Sequence, residues 1–176
     1  MTARPKENSW TSTQRRDASG AFESVQSIVF PAPVVERSPS GASRLGDLYW
    51  REMERSTFGF VRARAASAGL EVRLLGVGPR LLRFSEAKRE VGASGVSCVY
   101  AIRGGLLARN AGGSLSLTQA GTDTVEVRSA ISGFFPRLAG RRHRRWSDVV
   151  YAHIQARLHV ALSRRYFARL WLQATE

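Results

Sequence analysis

A basic cluster in the last third of the chain is the group of side chains whose types and spacing most directly suggest chemistry. The stretch from Arg137 to Arg145 contains five arginines and one histidine, and Trp146 follows it directly. Arginine neutralises phosphates and stacks on bases, and aromatic residues among basic ones are typical of single-strand nucleic-acid binders. The candidate anion-binding residues, in this cluster and on the segment after it, are Arg141, Arg142, Arg144, Arg145, Arg157 and Arg164.

This cluster does not by itself indicate a protein that recognises a specific nucleic-acid sequence. It carries no helix-turn-helix, zinc-finger or ribonucleoprotein-type signature. The alternative is a solvated loop in which Trp146 packs against the start of the following helix as a hydrophobic staple. Both interpretations stay open at the level of sequence.

Candidate catalytic groups and metal ligands are few. The chain has three histidines, His143, His153 and His159. On one helix, His153 and His159 lie on different sides and cannot share an ion, so we expect surface positions for them. Cys98 lies within a strand-like stretch without a basic neighbour, which is typical of a small core residue. The sequence therefore predicts no catalytic residue, no metal site and no cofactor.

The composition narrows the class of partner. Lysine and arginine number 27 against 14 acidic residues, which gives a formal net charge of +13. Such a charge attracts phosphates, anionic lipid headgroups or acidic proteins. Because lysine occurs only at Lys6 and Lys88, the excess of arginine is explained equally well by a GC-rich genome. The single cysteine excludes an internal disulfide, so we expect a reducing, cytoplasmic setting, and no apolar run is long enough to predict a transmembrane segment.

Composition also predicts how the chain is divided. Residues 1–23 are rich in polar residues and are expected to form a disordered tail, because they bury too little apolar surface to offset the entropy of ordering. Residues 24–44 contain three prolines, which lack the backbone N–H that donates hydrogen bonds to a neighbouring strand. This segment is therefore expected to be a linker or an edge strand. Residues 45–176 are expected to form a single α+β domain.

The hydrophobic period changes along this domain. Apolar residues recur at helical spacing from Leu45 to about Ser67, which predicts a helix, although residues 57–65, TFGFVRARA, also alternate like a strand. After Gly69 the period becomes two, which predicts an antiparallel meander. Its strands are expected in LEVRLLGV, RLLRFSE, VSCVYAIRGGLLA, SLSLTQ and TVEVRSAI.

A long helix is predicted at the C-terminal end of the sequence. Ser147 is a suitable N-cap, and the helical pattern continues to about Leu172. Ile154, Leu158 and Leu162 belong to its apolar face, which we expect to meet the sheet.

This order of elements, a helix, an antiparallel meander and one long C-terminal helix, resembles the START-type helix-grip superfamily of polyketide cyclase-like and lipid-transfer proteins. The segments that carry the resemblance are LEVRLLG, VSCVYAIRGG, SLSLTQ, TVEVRSAISGFFP and the helix from Val149. The resemblance implies a curved sheet around the long helix, with an apolar cavity between them. The residues then expected to face the cavity are Tyr100, Leu117 and Val127 from the sheet and Ile154, Leu158 and Leu162 from the helix.

The sequence thus favours a helix-grip-like binding protein for a hydrophobic small molecule or lipid, without catalysis. Plain core packing by the same apolar residues is an alternative. A second alternative is an anionic-surface binder, in which the Arg137–Arg145 loop contacts nucleic acid or membrane. An enzyme is the third, for which Tyr100 and His153 are the only polar pair to nominate. The oligomeric state is not indicated.

Overall fold

The computed structural model of the chain describes residues 10–108, 110–136 and 145–174, with only the backbone described for residues 145–158. Its elements are, in chain order, β1 Trp10–Arg16, β2 Phe22–Phe30, α1 Pro39–Ser56, β3 Val61–Ala66, β4 Gly69–Leu74, β5 Arg80–Phe84, β6 Lys88–Gly92, β7 Gly95–Gly104, β8 Ser114–Ala120, β9 Val125–Phe134 and α2 Arg145–Ala174.

The strands form one nine-stranded sheet in the order β1-β2-β9-β8-β7-β5-β4-β3, and β6 also pairs with β7. Each strand pair is antiparallel. Both helices contact the sheet, α1 through β7 and α2 through β2, and they contact each other. The predicted fold class, α+β with an antiparallel meander packed on a long C-terminal helix, is confirmed.

Alternation along the central strands creates the core. In β7 the even-numbered residues from Val96 to Ile102 are buried, and in β8 Leu115 and Leu117 are buried in the same way. These side chains project from one face of the sheet, since successive residues of a strand point to opposite faces. The helices cover that face with large side chains, which are Leu45, Tyr49, Trp50, Tyr166, Phe167 and Leu170.

The helix α1 begins and ends at recognisable signals. Ser38 is its N-cap and accepts a hydrogen bond from the Gly41 amide at 3.1 Å. The helix ends at Ser56, so the predicted extension to Ser67 is wrong. Phe58 and Gly59 adopt positive φ angles of 51° and 76°, which a continuous helix does not allow. Beyond this point the chain follows the strand-like alternation of residues 57–65, and Val61–Ala66 form β3.

The N-terminal part of the described chain differs from its prediction. Residues 10–16 form β1, although a disordered tail was expected to residue 23, and β2 is an internal strand between β1 and β9 rather than a linker or edge strand. The sequence of β2 lacks a clear apolar alternation because two of its inward positions are occupied by the polar residues Ser24 and Gln26, which are fully buried. Pro31 and Pro33 follow β2, and Pro39 is the first residue of α1. At these positions the missing backbone N–H is not needed for hydrogen bonds of the sheet. The division of the chain into domains stays a prediction.

The segment between β2 and α1 is fixed by one buried glutamine. The Oε1 atom of Gln119 accepts hydrogen bonds from the amides of Val34 and Val35 at 2.8 and 3.0 Å. Its Nε2 atom donates to the Val35 carbonyl at 2.9 Å. The side chain therefore substitutes for a strand partner that this proline-containing segment lacks.

The predicted C-terminal helix is present as α2. It begins at Arg145, two residues before the expected N-cap Ser147, and extends to Ala174. Assigned helix ends commonly differ by this amount. Among the residues that the structure describes, no helix combines the length and the apolar character needed to cross a lipid bilayer.

Candidate functional site

An apolar cavity of about 380 Å³ lies between the sheet and the two helices. This volume falls within the range of small-molecule sites, about 300–1,000 Å³. The apolar side chains that line it include Trp50, Met53, Val72, Phe84, Ile102, Ile131 and Leu162.

The end of α1 and the inner face of the meander supply much of the described cavity wall. The ring of Trp50 packs against those of Phe84 and Tyr100, with centroids 5.2 and 5.3 Å apart. Trp50 and Met53 come one helical turn apart, so they face the same side of α1. Aromatic pairs of this kind contribute beyond the area that they bury, and they fix the shape of the wall.

The most distinctive polar feature of the wall is a buried pair, Tyr49 on α1 and His159 on α2, both of which line the cavity. A hydrogen bond of 3.2 Å joins the Tyr49 hydroxyl and Nδ1 of His159. Burial lowers the pKa of His159 to about 4 and raises the pKa of Tyr49, so both groups are uncharged near neutral pH. The Nε2 atom of His159 is buried and has no hydrogen-bond partner among the described residues.

The described lining of the cavity also includes polar residues outside this pair. Ser56 and Thr57 line it where α1 ends, and Arg165 lines it from α2 with an exposed side chain. Among the described residues, the cavity therefore combines an apolar lining with the neutral Tyr49–His159 pair and the exposed Arg165.

The sheet residues expected to face a cavity lie in the core. Leu117 and Val127 are both fully buried and Tyr100 is 6% exposed, and none of the three lines the cavity. Leu162 does line it. The assignment of these residues to a ligand site stays a prediction.

The other candidate residues lie partly or wholly outside the described part of the chain. Ile154, Leu158, Arg145 and Arg157 belong to α2, but their side chains are not described. Arg141, Arg142 and Arg144 lie outside the described residues. Arg164 is exposed, and its guanidinium lies 5.6 Å from the centre of the Trp10 ring.

Several residues of the cavity wall were not found from the sequence. His159 was expected at the surface and is 6% exposed. Tyr49 and Met53 follow Leu45 at intervals of four, which was a signal for one buried helix face. No comparable signal distinguished His159 from a surface residue, because its burial depends on where α1 packs against α2.

Candidate metal ligands and the single cysteine can be placed among the described residues. Among them no three histidine, cysteine or acidic side chains are grouped as metal ligands. Cys98 is buried, and burial raises the pKa of its thiol, which disfavours the nucleophilic thiolate.

Comparisons with known proteins add little to this geometry. No protein-family model matches the sequence. No curated protein matches it either. Among solved structures the chain is similar to CalU16 from Micromonospora echinospora, at 12% identity, over 94% of this chain and 92% of that chain, with a TM-score of 0.37. This similarity is too low to identify a family or a function.

Proposed function

We propose that the protein binds a hydrophobic small molecule or lipid in the cavity between sheet and helices, without catalysing a reaction. The observation that carries this proposal is the cavity itself, about 380 Å³ in volume and lined mainly by aliphatic and aromatic side chains. A void of this kind leaves its lining without contact partners, and a ligand of matching shape restores them. Kinship with the START-like helix-grip proteins belongs to the same proposal and is supported by the order of elements.

The polar groups of the wall suggest what the ligand carries. A ligand hydroxyl or carbonyl suits Nε2 of His159, which has no hydrogen-bond partner among the described residues, because a buried polar group left unpaired costs about 1–3 kcal/mol. A charged group at this depth is disfavoured, because it would lose its hydration beside a neutral imidazole. Among the described lining residues, Arg165 is the one that suits an anionic group.

A bulky residue at the cavity edge tests the proposal. Ala161 is exposed and lines the cavity, whereas Ala168 is exposed on the same helix away from it. We expect Ala161→Trp to weaken binding of the neutral apolar dye Nile red by about tenfold or more, since a loss of 1.4 kcal/mol has this effect. Ala168→Trp should leave dye binding unchanged. Equal binding by both variants and the parent protein would contradict a cavity site.

The natural ligand is accessible to native mass spectrometry of tag-free protein, followed by extraction with organic solvent. A lipid-sized adduct that the solvent releases would support the proposal. An oligonucleotide that dissociates as salt rises from about 50 to 200 mM would instead favour the Arg137–Arg145 loop, since phosphate contacts are strongly salt-dependent. A neutral ligand in the cavity should respond little to salt.

A further inference from the structure

Two neighbouring loops present large apolar side chains to solvent. The loop between α1 and β3 carries Phe58 and Phe60, which are 87% and 59% exposed. The loop between β4 and β5 carries Leu75 and Val77, which are 56% and 87% exposed. The Leu75 amide donates a hydrogen bond of 2.7 Å to the Phe60 carbonyl, so the two loops lie side by side. We call these four residues the loop patch.

The backbone of the loop patch does not favour the residues found there. Phe58 and Leu75 have φ angles of 51° and 53°, in the left-handed region that bulky side chains rarely adopt. Glycine or asparagine would adopt this conformation more easily. Neither burial nor backbone preference therefore explains a phenylalanine and a leucine at these positions. Residues held in such conformations are concentrated at functional sites.

The surroundings of the loop patch are basic. Residues 57–80 contain four arginines and one glutamate. That carboxylate, Glu71, is engaged by Arg73 and Arg80 at 2.8 and 3.0 Å. Arg62 and Arg64 are exposed, and no ion pair involves either of them within the described part of the chain. A Cβ atom placed on Gly76 would come within 3.2 and 3.3 Å of their side chains, so both lie next to the second loop.

We propose that the loop patch inserts into the headgroup region of an anionic lipid bilayer, with Arg62 and Arg64 contacting the lipid phosphates. Apolar side chains flanked by arginines are the combination with which proteins bind such interfaces. Nucleic acid is a poorer match, because the aliphatic side chains of Leu75 and Val77 do not stack on bases as aromatic ones do. The docked orientation would place the cavity rim near the lipids, since Thr57 and Val61 line the cavity and flank the first loop.

Flotation with lipid vesicles tests this surface. We expect the protein to float with phosphatidylcholine vesicles that contain phosphatidylglycerol, and to float less without the anionic lipid or at high salt. The double variant Phe58→Asn with Leu75→Asn should weaken binding by at least about tenfold. It should not unfold the protein, because asparagine tolerates positive φ. Val91→Asn changes another exposed apolar residue, on β6, and should bind as the parent does.

The arginines are tested separately by Arg62→Gln with Arg64→Gln, which should reduce binding to anionic vesicles and flatten its salt dependence. Failure of the parent protein to float would overturn the proposal. So would undiminished binding by the asparagine variant, which would show that another surface of the protein makes the contact. A third contradicting result is an asparagine variant that floats as the parent does but loses self-association or oligonucleotide binding. That result would also overturn the proposal, because the loop patch would then bind a different partner. Nile red binding should be unaffected throughout, because Phe58 and Leu75 do not line the cavity.

Discussion

His159 shows how burial alone can set the chemistry of one side chain. Its imidazole packs beside Tyr49 and Leu162 in the cavity wall, and no acidic side chain is among the causes of its lowered pKa. The ring is thus a neutral hydrogen-bonding group rather than a cation. That character suits recognition of a hydroxyl or carbonyl, and it is a poor match for a carboxylate or phosphate.

The low pKa of His159 predicts that stability depends on pH. An unfolded histidine takes up a proton near pH 6.5 and the folded one only near 4, so acid favours the unfolded state between these values. We expect this group to reduce the free energy of unfolding by roughly 2–3 kcal/mol between about pH 7 and pH 4.5. Below the folded pKa the loss is complete. Urea unfolding of the parent and of His159→Asn at both pH values measures it.

In His159→Asn this part of the pH dependence should disappear, because asparagine does not titrate and still offers an oxygen to Tyr49. The other titrating groups are common to both proteins, so the difference between them isolates residue 159. The same loss of stability in the parent and the variant would show that His159 does not titrate as burial predicts.

Gln119 gives a second prediction at the scale of one residue. Gln119→Leu preserves volume but leaves the amides of Val34 and Val35 and one carbonyl without partners in a buried place. We expect a loss of about 3 kcal/mol or more in the free energy of unfolding, measured by urea denaturation. Gln173→Leu removes a longer bond to Arg44, 3.3 Å and exposed, and should change stability by less than about 0.5 kcal/mol. Similar effects in both variants would contradict the role given to Gln119.

Individual polar residues were the hardest part of the structure to predict. Ser24, Gln26, Gln119 and His159 are all buried, although serine and glutamine are mostly found at the surface and histidine is intermediate. Their partners lie on distant segments: Ser163 donates to Gln26 across 137 positions of the chain. A short sequence window contains no trace of such a partner, so composition alone assigns these residues to the wrong environment.

At the scale of elements, one close approach joins α1 to the sheet. A Cβ atom on Gly46 would overlap the Tyr100 hydroxyl and lie 3.2 Å from the Cys98 sulfur atom. The absence of a side chain at this position lets the helix lie directly on β7, and it keeps Trp50 in contact with Tyr100 and Phe84.

Gly46→Ala should therefore destabilise the protein by about 1–3 kcal/mol, through overpacking that exceeds the gain in helix propensity. Thermal and urea unfolding measure the change. Adding Tyr100→Phe removes the overlapping hydroxyl and should recover part of the loss, a coupling that independent sites would not show. A stabilising effect of Gly46→Ala alone would mean that α1 lies farther from β7 than described.

The elements were predicted best where their pattern was strongest. The hairpin of β4 and β5, the strands β7 to β9 and the helix α2 all follow clear periods in the sequence, and the structure confirms them. β6 was missed because all of its residues are exposed and no alternation marks it. The end of α1 was misplaced because helical and strand-like patterns overlap around residues 57–65, and the positive φ of Phe58 is not readable from a phenylalanine.

At the scale of the whole molecule, the sequence pattern could not identify the residues that line the cavity. All the inward residues of a sheet have the same pattern, so the pattern does not distinguish those beside a void from those in solid packing. Leu117 and Leu115 are neighbours on the inner face of β8, yet only Leu115 lines the cavity. The position of the void depends on where α1 and α2 leave the sheet uncovered.

The pairing of β2 with β9 has a consequence for the order of events during protein synthesis. β2 is synthesised before one of its two neighbours in the sheet, β9, and before α2, the helix that contacts it. Until α2 is made, the apolar surface that this helix covers is exposed, and such surfaces promote aggregation of nascent chains. The residues that line the cavity extend from Phe22 to Arg165, so a chain that ends before α2 would lack part of the proposed site.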